Sequence, residues 1–417
     1  MSPHSPESNA IGTPLRAVDL EMDRIRTRFA ACGALAMIVV DTSALDPIEP
    51  RFGADAYRQI TGRVAQVVRE TLGDALVADD VVALGELGRS EISVSFLRDR
   101  KDHAFHLDVF PRLAERVAAA LADGGGRLGY PFVRERLPLP VGHAVAFYDP
   151  TLRAERLVRR ARDQAREDAA LAGRLAASSL RQELSRLLLA EDVQIVFEPI
   201  VGLARRDVFG FEALVRGREG SRLATPWELF GAAREADMVF EMDCLCRRTA
   251  LQEAKRLPPG AKLFLNCLPS AIHDPAFEGD ALRRSLQDHR LRPSDVVLEI
   301  SERESIENFT IFREVCDHYA ELGFRIALDD VGVGYGSLEA VTELRPDFIK
   351  VDIAFVRGID SDPARQEVLV AMNSIARRIG ARIVAEGIET PEQLETLRRM
   401  AIPLGQGYLL GRASRLE

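Results

Sequence analysis

The stretch RIALDDVGVGYGSLEAVTELRPDFIKVD, residues 325–352, carries the reading of the fold. Arg325–Leu328 is a short apolar run that ends on two carboxylates, Asp329 and Asp330. A glycine-containing loop and an amphipathic segment follow, and Phe348–Val351 is a second apolar run that carries Lys350 and leads into Asp352. Strand, helix and strand in so short a span is the repeat of a parallel sheet, in which a helix must carry the chain back between strands.

The same rhythm extends to both sides. Gln194–Ile200, Val208–Val215, Lys262–Asn266, Val296–Ile300, Arg325–Leu328, Phe348–Val351, Arg382–Ala385 and Gly407–Leu410 read as strands, mostly with amphipathic helices between them. These segments predict a (β/α)8 TIM-like barrel. The first two are separated by too few residues for a crossover helix, so they predict a hairpin and a barrel with one antiparallel strand.

Polar residues fall at one strand end after another. Glu212 lies in the second strand, Asn266 ends the third and Glu299 sits at the end of the fourth; Asp329 and Asp330 follow the fifth. Lys350 and Asp352 mark the sixth and Glu386 follows the seventh, while Gln406 is expected to open the last. A lone acid at a strand end is ordinarily a helix cap or a solvated loop residue, but capping does not explain the whole series. Side chains at the carboxyl ends of barrel strands converge on one mouth. Several carboxylates there repel one another unless cations neutralise them. Oxygen ligands without histidine suit Mg²⁺ or Mn²⁺ rather than zinc. The Asp329-Asp330 doublet is the natural bridge between two ions about 4 Å apart, the spacing used for phosphodiester hydrolysis.

Bulk composition narrows the rest. A chain of 417 residues exceeds one ordinary core and predicts two domains. A net charge of -9 argues against a long nucleic acid as partner. Five scattered cysteines point to reduced thiols and a cytoplasmic protein. No apolar run approaches the roughly 18 residues of a membrane span, and residues 1–14 read as a disordered tail rather than a signal peptide.

Residues 15–150 mix strands and helices as one small α+β domain. Its expected elements are strands Leu35–Val40, Val81–Leu87 and Ile92–Leu97, helices Asp55–Thr71 and Phe110–Ala122, and strand-like segments near Phe132–Glu135 and Gly142–Phe147. Residues 151–190, rich in Ala, Leu, Arg and Glu, read as a helical linker to the barrel at 191–417. Its basic run, Arg153, Arg156, Arg159, Arg160 and Arg162, reads as a solvated face, with a dimerising coiled coil as the alternative.

Glu212-Ala213-Leu214 with Arg216 resembles the motif that names the EAL phosphodiesterases. Asn266, Glu299-Ile300-Ser301-Glu302, Asp329-Asp330, Lys350-Val351-Asp352, Glu386-Gly387-Ile388-Glu389 and Gln406-Gly407-Tyr408 resemble the remaining motifs in order. The resemblance implies hydrolysis of cyclic di-GMP to linear pGpG at a two-metal site of Mg²⁺ or Mn²⁺. It assigns Glu212, Asn266, Glu299 and Asp329 to the first ion, and Asp329, Asp330 and Glu386 to the second. Lys350 would orient or help deprotonate the attacking water and Arg216 would pair with a substrate phosphate. Glu302, Asp352, Glu389 and Gln406 would position substrate or support the ligands.

Departures from the family pattern point the other way. Val331, Val333 and Gly336 stand where the family has Phe, Thr and Ser in the loop that couples the second metal to dimerisation, and Glu198 replaces a glutamine of the first strand. A negative charge at Glu198 would face a dianionic dinucleotide. The alternative function is therefore a cyclic di-GMP receptor or protein-interaction scaffold without turnover. Residues 33–170 faintly resemble a GGDEF domain through Val39-Val40-Asp41, Phe52-Gly53-Ala54-Asp55 and Gly88-Arg89-Ser90-Glu91-Ile92. Arg89 and Ser90 break that signature, so the resemblance implies a regulatory domain without cyclase activity that senses GTP, dimerises or binds a protein partner, with an unrelated small α/β sensor domain as the alternative; the whole protein is expected to be a homodimer.

Overall fold

A computed structural model describes residues 15–86, 88–133, 136–301, 309–332 and 337–416. The expected N-terminal tail lies outside the described residues. The chain divides into two compact units, residues 1–180 and 181–417.

In the first unit α1 (Val18–Cys32) precedes β1 (Gly33–Asp41), and α2 (Ile48–Phe52) and α3 (Ala54–Leu72) follow. Next come β2 (Val81–Leu84), β3 (Glu91–Asp99), α4 (Phe110–Leu128), β4 (Val141–Phe147) and the long α5 (Ala154–Ala190). The sheet order is β2-β3-β1-β4 and the pairings are antiparallel. Central strand β1 is an unbroken apolar run because both of its faces are covered. Alternate residues Leu35, Met37 and Val39 pack with α1 and α5, and Ala36, Ile38 and Val40 pack with α3 and α4. Phe132 and Val133 sit in a turn rather than the expected strand, and residues 134–135 lie outside the described part.

Helix α5 begins as part of this unit's core, burying Ala154, Leu157, Val158, Ala161 and Ala165. Arg153, Arg156, Arg159 and Arg160 are exposed as expected, but Arg162 is wholly buried, with Nη1 2.5 Å from Glu86 Oε1. Arg162 falls beside Val158 and Ala161 in the buried stripe of the helix, so its charge needs a partner inside. One turn later Arg166 grips both oxygens of Glu91 at 2.6 and 2.8 Å.

The second unit is a closed barrel of β5 (Gln194–Gly202), β6 (Val208–Arg216), β7 (Lys262–Asn266), β8 (Val296–Ser301), β9 (Arg325–Val331), β10 (Phe348–Val351), β11 (Arg382–Ala385) and β12 (Leu404–Gly405). Helices α6 (Pro226–Ala236), α7 (Val239–Glu253), α8 (Gly279–Asp288), α9 (Phe309–Glu321), α10 (Ser337–Leu344), α11 (Ile353–Val356), α12 (Pro363–Ile379) and α13 (Pro391–Arg399) connect the strands. β5 runs antiparallel to both neighbours, β6 and β12, and every other neighbouring pair is parallel. The eight-stranded barrel with one reversed strand is thus the fold the sequence predicts.

The eighth strand is Leu404–Gly405, not Gly407–Leu410, which forms a turn. Gly407 adopts φ +144°, and a Cβ there would lie 2.3 Å from the Ile388 backbone nitrogen, so the chain must bend away where the apolar run suggests a strand. Gln406 therefore follows the last strand instead of opening it.

Period-2 geometry stacks two layers inside the barrel. Ile200, Phe264, Val297, Ala327, Phe348, Val384 and Leu404 form a buried apolar cluster. Two residues further along the chain from the residues of that cluster on the parallel strands stand Asn266, Glu299, Asp329 and Lys350 within their strands and Glu386 and Gln406 just past theirs. In the reversed strand the polar residue comes two positions earlier, at Glu198, as reversal requires. An apolar floor thus carries a polar layer at the carboxyl-end mouth.

Candidate active site

Lys350 is the hub of that layer. Its Nζ lies 3.2 Å from Glu212 Oε2, 2.9 Å from Glu299 Oε1, 3.1 Å from Asp329 Oδ1 and 2.9 Å from Glu386 Oε1. The lysine is 1% exposed, so these charges meet away from water. An ammonium has three N–H donors and one positive charge, and it faces four carboxylates. Gln406 Nε2 donates to Glu212 Oε2 at 2.7 Å, and the Asn266 amide also bonds Glu212.

The electrostatics follow from burial. Desolvation pushes Glu299 and Glu386 well above the ordinary carboxylate range, and the neighbouring acids add to it. Desolvation also opposes the charge on Glu212, yet Lys350, Gln406 and Asn266 outweigh it and hold this carboxyl below its usual value. Lys350 is pushed well above its usual value, because Asp329, Glu212, Glu299 and Glu386 together overcome its own burial. Asp330 is pushed up to about 6 by burial and by the charges of Asp329 and Asp352.

Oxygen atoms of Asp329, Asp330 and Glu386 lie within 4.8 Å of one another. Asp330 takes φ +60°, a left-handed conformation that a non-glycine residue holds only at some cost. Gly387, next to Glu386, is at φ +68°, and a Cβ there would come within 2.1 Å of Ile353, so the chain passes tightly beside the cluster. Asp352 Oδ1 accepts from Ala354 N at 2.6 Å, capping α11, and the Asp352 side chain also bonds Asp330.

Glu198 stands opposite Glu212 in the β5–β6 register, with Gln194 opposite Arg216. Burial and the Glu212 charge raise the Glu198 carboxyl. Half-buried Arg216 donates from Nη1 to the Val215 carbonyl at 2.8 Å. Glu389 is exposed, and its backbone N–H bonds Gln393 Oε1 in the cap of α13. Glu302 and residues 333–336, including Val333 and Gly336, lie outside the described residues. Val331 is fully buried at the end of β9.

The residues present fit divalent cations. All the donors are oxygens, negative charge exceeds positive around Lys350, and among the described residues Glu299 Oε2 and Gln406 Oε1 are buried acceptors without a hydrogen-bond partner. Sequence reasoning misses a buried network behind β7, formed by Asp243, Arg247 and Asp274. Its only trace is two charged residues four apart on a helix, which ordinarily means a solvated face.

A reversed-strand barrel with this acidic mouth defines a class, and the chain belongs to the EAL domain family, whose profile matches residues 181–413. It is 30% identical over 238 residues to the cyclic di-GMP phosphodiesterase NbdA of Pseudomonas aeruginosa, covering 56% of this chain and 30% of that one. It is also 30% identical over 246 residues to the probable cyclic di-GMP phosphodiesterase PdeN of Escherichia coli, covering 57% and 46%. The chain thus spans less than half the length of either relative. A solved structure, the PaMucR phosphodiesterase in complex with c-di-GMP, shares the fold at 24% identity and a TM-score of 0.51, covering 57% of this chain and 97% of that one.

Proposed function

We propose that the barrel hydrolyses cyclic di-GMP to linear pGpG with Mg²⁺ or Mn²⁺. The observation that carries this reading is the surplus of carboxylates, Glu212 and Glu299 buried and Asp329 and Glu386 half-buried, around the single ammonium of Lys350. Glu212, Asn266, Glu299 and Asp329 would hold one ion, and Asp329, Asp330 and Glu386 a second. Such ions supply positive charge that polarises a phosphoryl oxygen and makes water acidic enough to attack near neutral pH.

The chain's own residues do the rest. Lys350 holds the four carboxylates in one arrangement and offers N–H donors to orient the attacking water. Arg216, at the rim, offers a planar fork of donors to a substrate phosphate. Gln406 and Asn266 fix the rotamer of Glu212 by donating to it. Asp352 holds Asp330, and Glu302 and Glu389 are read as supports of the ligand set.

The first unit is read as a degenerate GGDEF-like domain that regulates the barrel and takes GTP or a protein partner. Its hairpin β2–β3 carries Gly88-Arg89-Ser90-Glu91, and Glu91, at the acidic position of the signature, is engaged by Arg166. That engagement supports a domain without cyclase activity. A homodimer is supported by Val368, Ile375 and Ile379, exposed at helical spacing on α12. No described helix is long and apolar enough to cross a membrane; a cytoplasmic location is read from the scattered free cysteines.

One feature favours a receptor without turnover. Glu198 puts another carboxylate opposite Glu212, where an anionic dinucleotide would have to approach. The deciding experiment is hydrolysis of cyclic di-GMP by the full-length protein in Mg²⁺ and in Mn²⁺, with Glu212→Ala as control. Formation of pGpG by the wild type alone supports the enzyme. Nucleotide binding without product in either metal would replace the enzyme with the receptor.

A further inference from the structure

The barrel wall behind β7 contains a charge network that the reaction scheme leaves unused. Asp243 and Arg247 lie one turn apart on α7, and both side chains are almost fully buried. Arg247 Nε donates to Asp243 Oδ2 at 2.8 Å, and its Nη2 lies 3.1 Å from Asp274 Oδ2. The guanidinium carbon stands 4.4 Å from the centroid of the Phe277 ring. Stability alone is a poor account of such a network, since well-packed apolar side chains commonly replace buried ion triads without loss.

What the network holds is the segment that leaves β7. The Leu268 backbone N–H bonds the Asp243 carboxylate, two residues past Asn266. Between them, the Cys267 N–H donates to the Glu299 carbonyl at 2.9 Å. At the far end, Asp274 Oδ1 accepts from Ala276 N at 2.9 Å and caps the turn Pro275–Phe277. Both ends of residues 267–277 therefore return to one guanidinium. Asn266 itself is exposed and is the last residue of a short strand, so the path of the chain just after it sets where its amide points.

We propose that Arg247 is a positioning residue: through Asp243 and Asp274 it fixes the segment after β7 so that Asn266 presents its amide oxygen to the carboxylate cluster as a cation ligand. This rests on the two-metal reading of the site and names the residues that hold its one amide ligand in place. Arg247 touches neither substrate nor metal in this scheme. Its effect passes through Leu268, and its loss should imitate loss of Asn266.

The test is Mn²⁺ titration by calorimetry of the full-length protein without substrate, for wild type, Asn266→Ala, Arg247→Met and the double variant. Amide exchange at Leu268 is followed in parallel. Arg247→Met should weaken Mn²⁺ by about tenfold, the lower range for removing a group that orients a ligand. Exchange at Leu268 should accelerate, and the double variant should bind no more weakly than Asn266→Ala alone. Unchanged Mn²⁺ affinity in Arg247→Met, or losses that add in the double variant, would overturn the proposal. If Arg247→Met does not fold, Asp274→Asn releases the same segment and is read in the same way. A wild type that takes up no Mn²⁺ would instead remove the two-metal reading, and this inference with it.

Discussion

The ammonium of Lys350 and the carboxylate of Glu299 meet at 2.9 Å, and both side chains are sealed from solvent. Three more acids share that ammonium, so one positive charge stands among four acids. Lys350→Met should leave the four carboxylates facing one another and cost about 3–5 kcal/mol, as unpairing of buried ions does. Melting in EDTA should show this loss, and Mn²⁺ should recover much of it while turnover remains abolished. A variant that melts like the wild type in EDTA would mean that these acids are protonated without their lysine.

Glu198 offers a second handle. Its raised carboxyl faces Glu212 across the β5–β6 ladder. If the proposed dianionic substrate passes Glu198, Glu198→Gln removes negative charge from its path, so KM should fall several-fold and depend less on salt. Steady-state kinetics at two ionic strengths check this. An unchanged KM would place Glu198 outside the substrate's path.

Acidity should control the metal-free protein. Asp330 is pushed up to about 6 from 3.8. An acid raised on folding contributes stability while it is protonated, in full below the unfolded value and lost as the pH climbs through the folded one. In EDTA the melting temperature should therefore fall between about pH 4 and pH 6, where folded Asp330 keeps its proton and the unfolded carboxyl has already lost it. Mn²⁺ binding at about pH 6 should release protons, because a carboxylate ligand must be deprotonated. Calorimetry in two buffers of different ionisation enthalpy measures that release, and its absence would show Asp330 to be ionised beforehand.

The thiols should be inert. Burial pushes Cys246 and Cys316 up to about 12 and Cys267 higher still. At about pH 8 the reactive thiolate is then on the order of one part in 10⁴. Iodoacetamide should leave these three unmodified in the native protein and label them in urea, as peptide mass mapping would show. Labelling of Cys267 under native conditions would mean that the segment after β7 opens readily.

Legibility in the sequence follows the range of the interaction. Strand ends are readable because period-2 alternation puts Asp329 over Ala327 and Lys350 over Phe348 within one short run each. The reversed strand is readable from the short gap between β5 and β6. The eighth strand is misplaced because its two residues, Leu404 and Gly405, are fixed by pairing with β11 and β5, while the longer apolar run beside them is bent by Gly407. Arg162 reads as solvated because its partner, Glu86, is 76 residues away. Long-range ion pairs leave no local pattern, and Arg247 escapes notice because its second acid, Asp274, lies in a different element.

Reversal of β5 also decides where the chain arrives. In a barrel of parallel strands only, the first residue of the first strand lies on the face opposite the chemistry. Here Gln194 pairs with Arg216, at the carboxyl end of β6, so the polypeptide leaving α5 joins the barrel at the rim of the mouth. The last turn of α5 is therefore joined by residues 191–193 to the strand end that pairs with Arg216. The hairpin puts the first residue of the first strand at the same rim as the carboxylate layer.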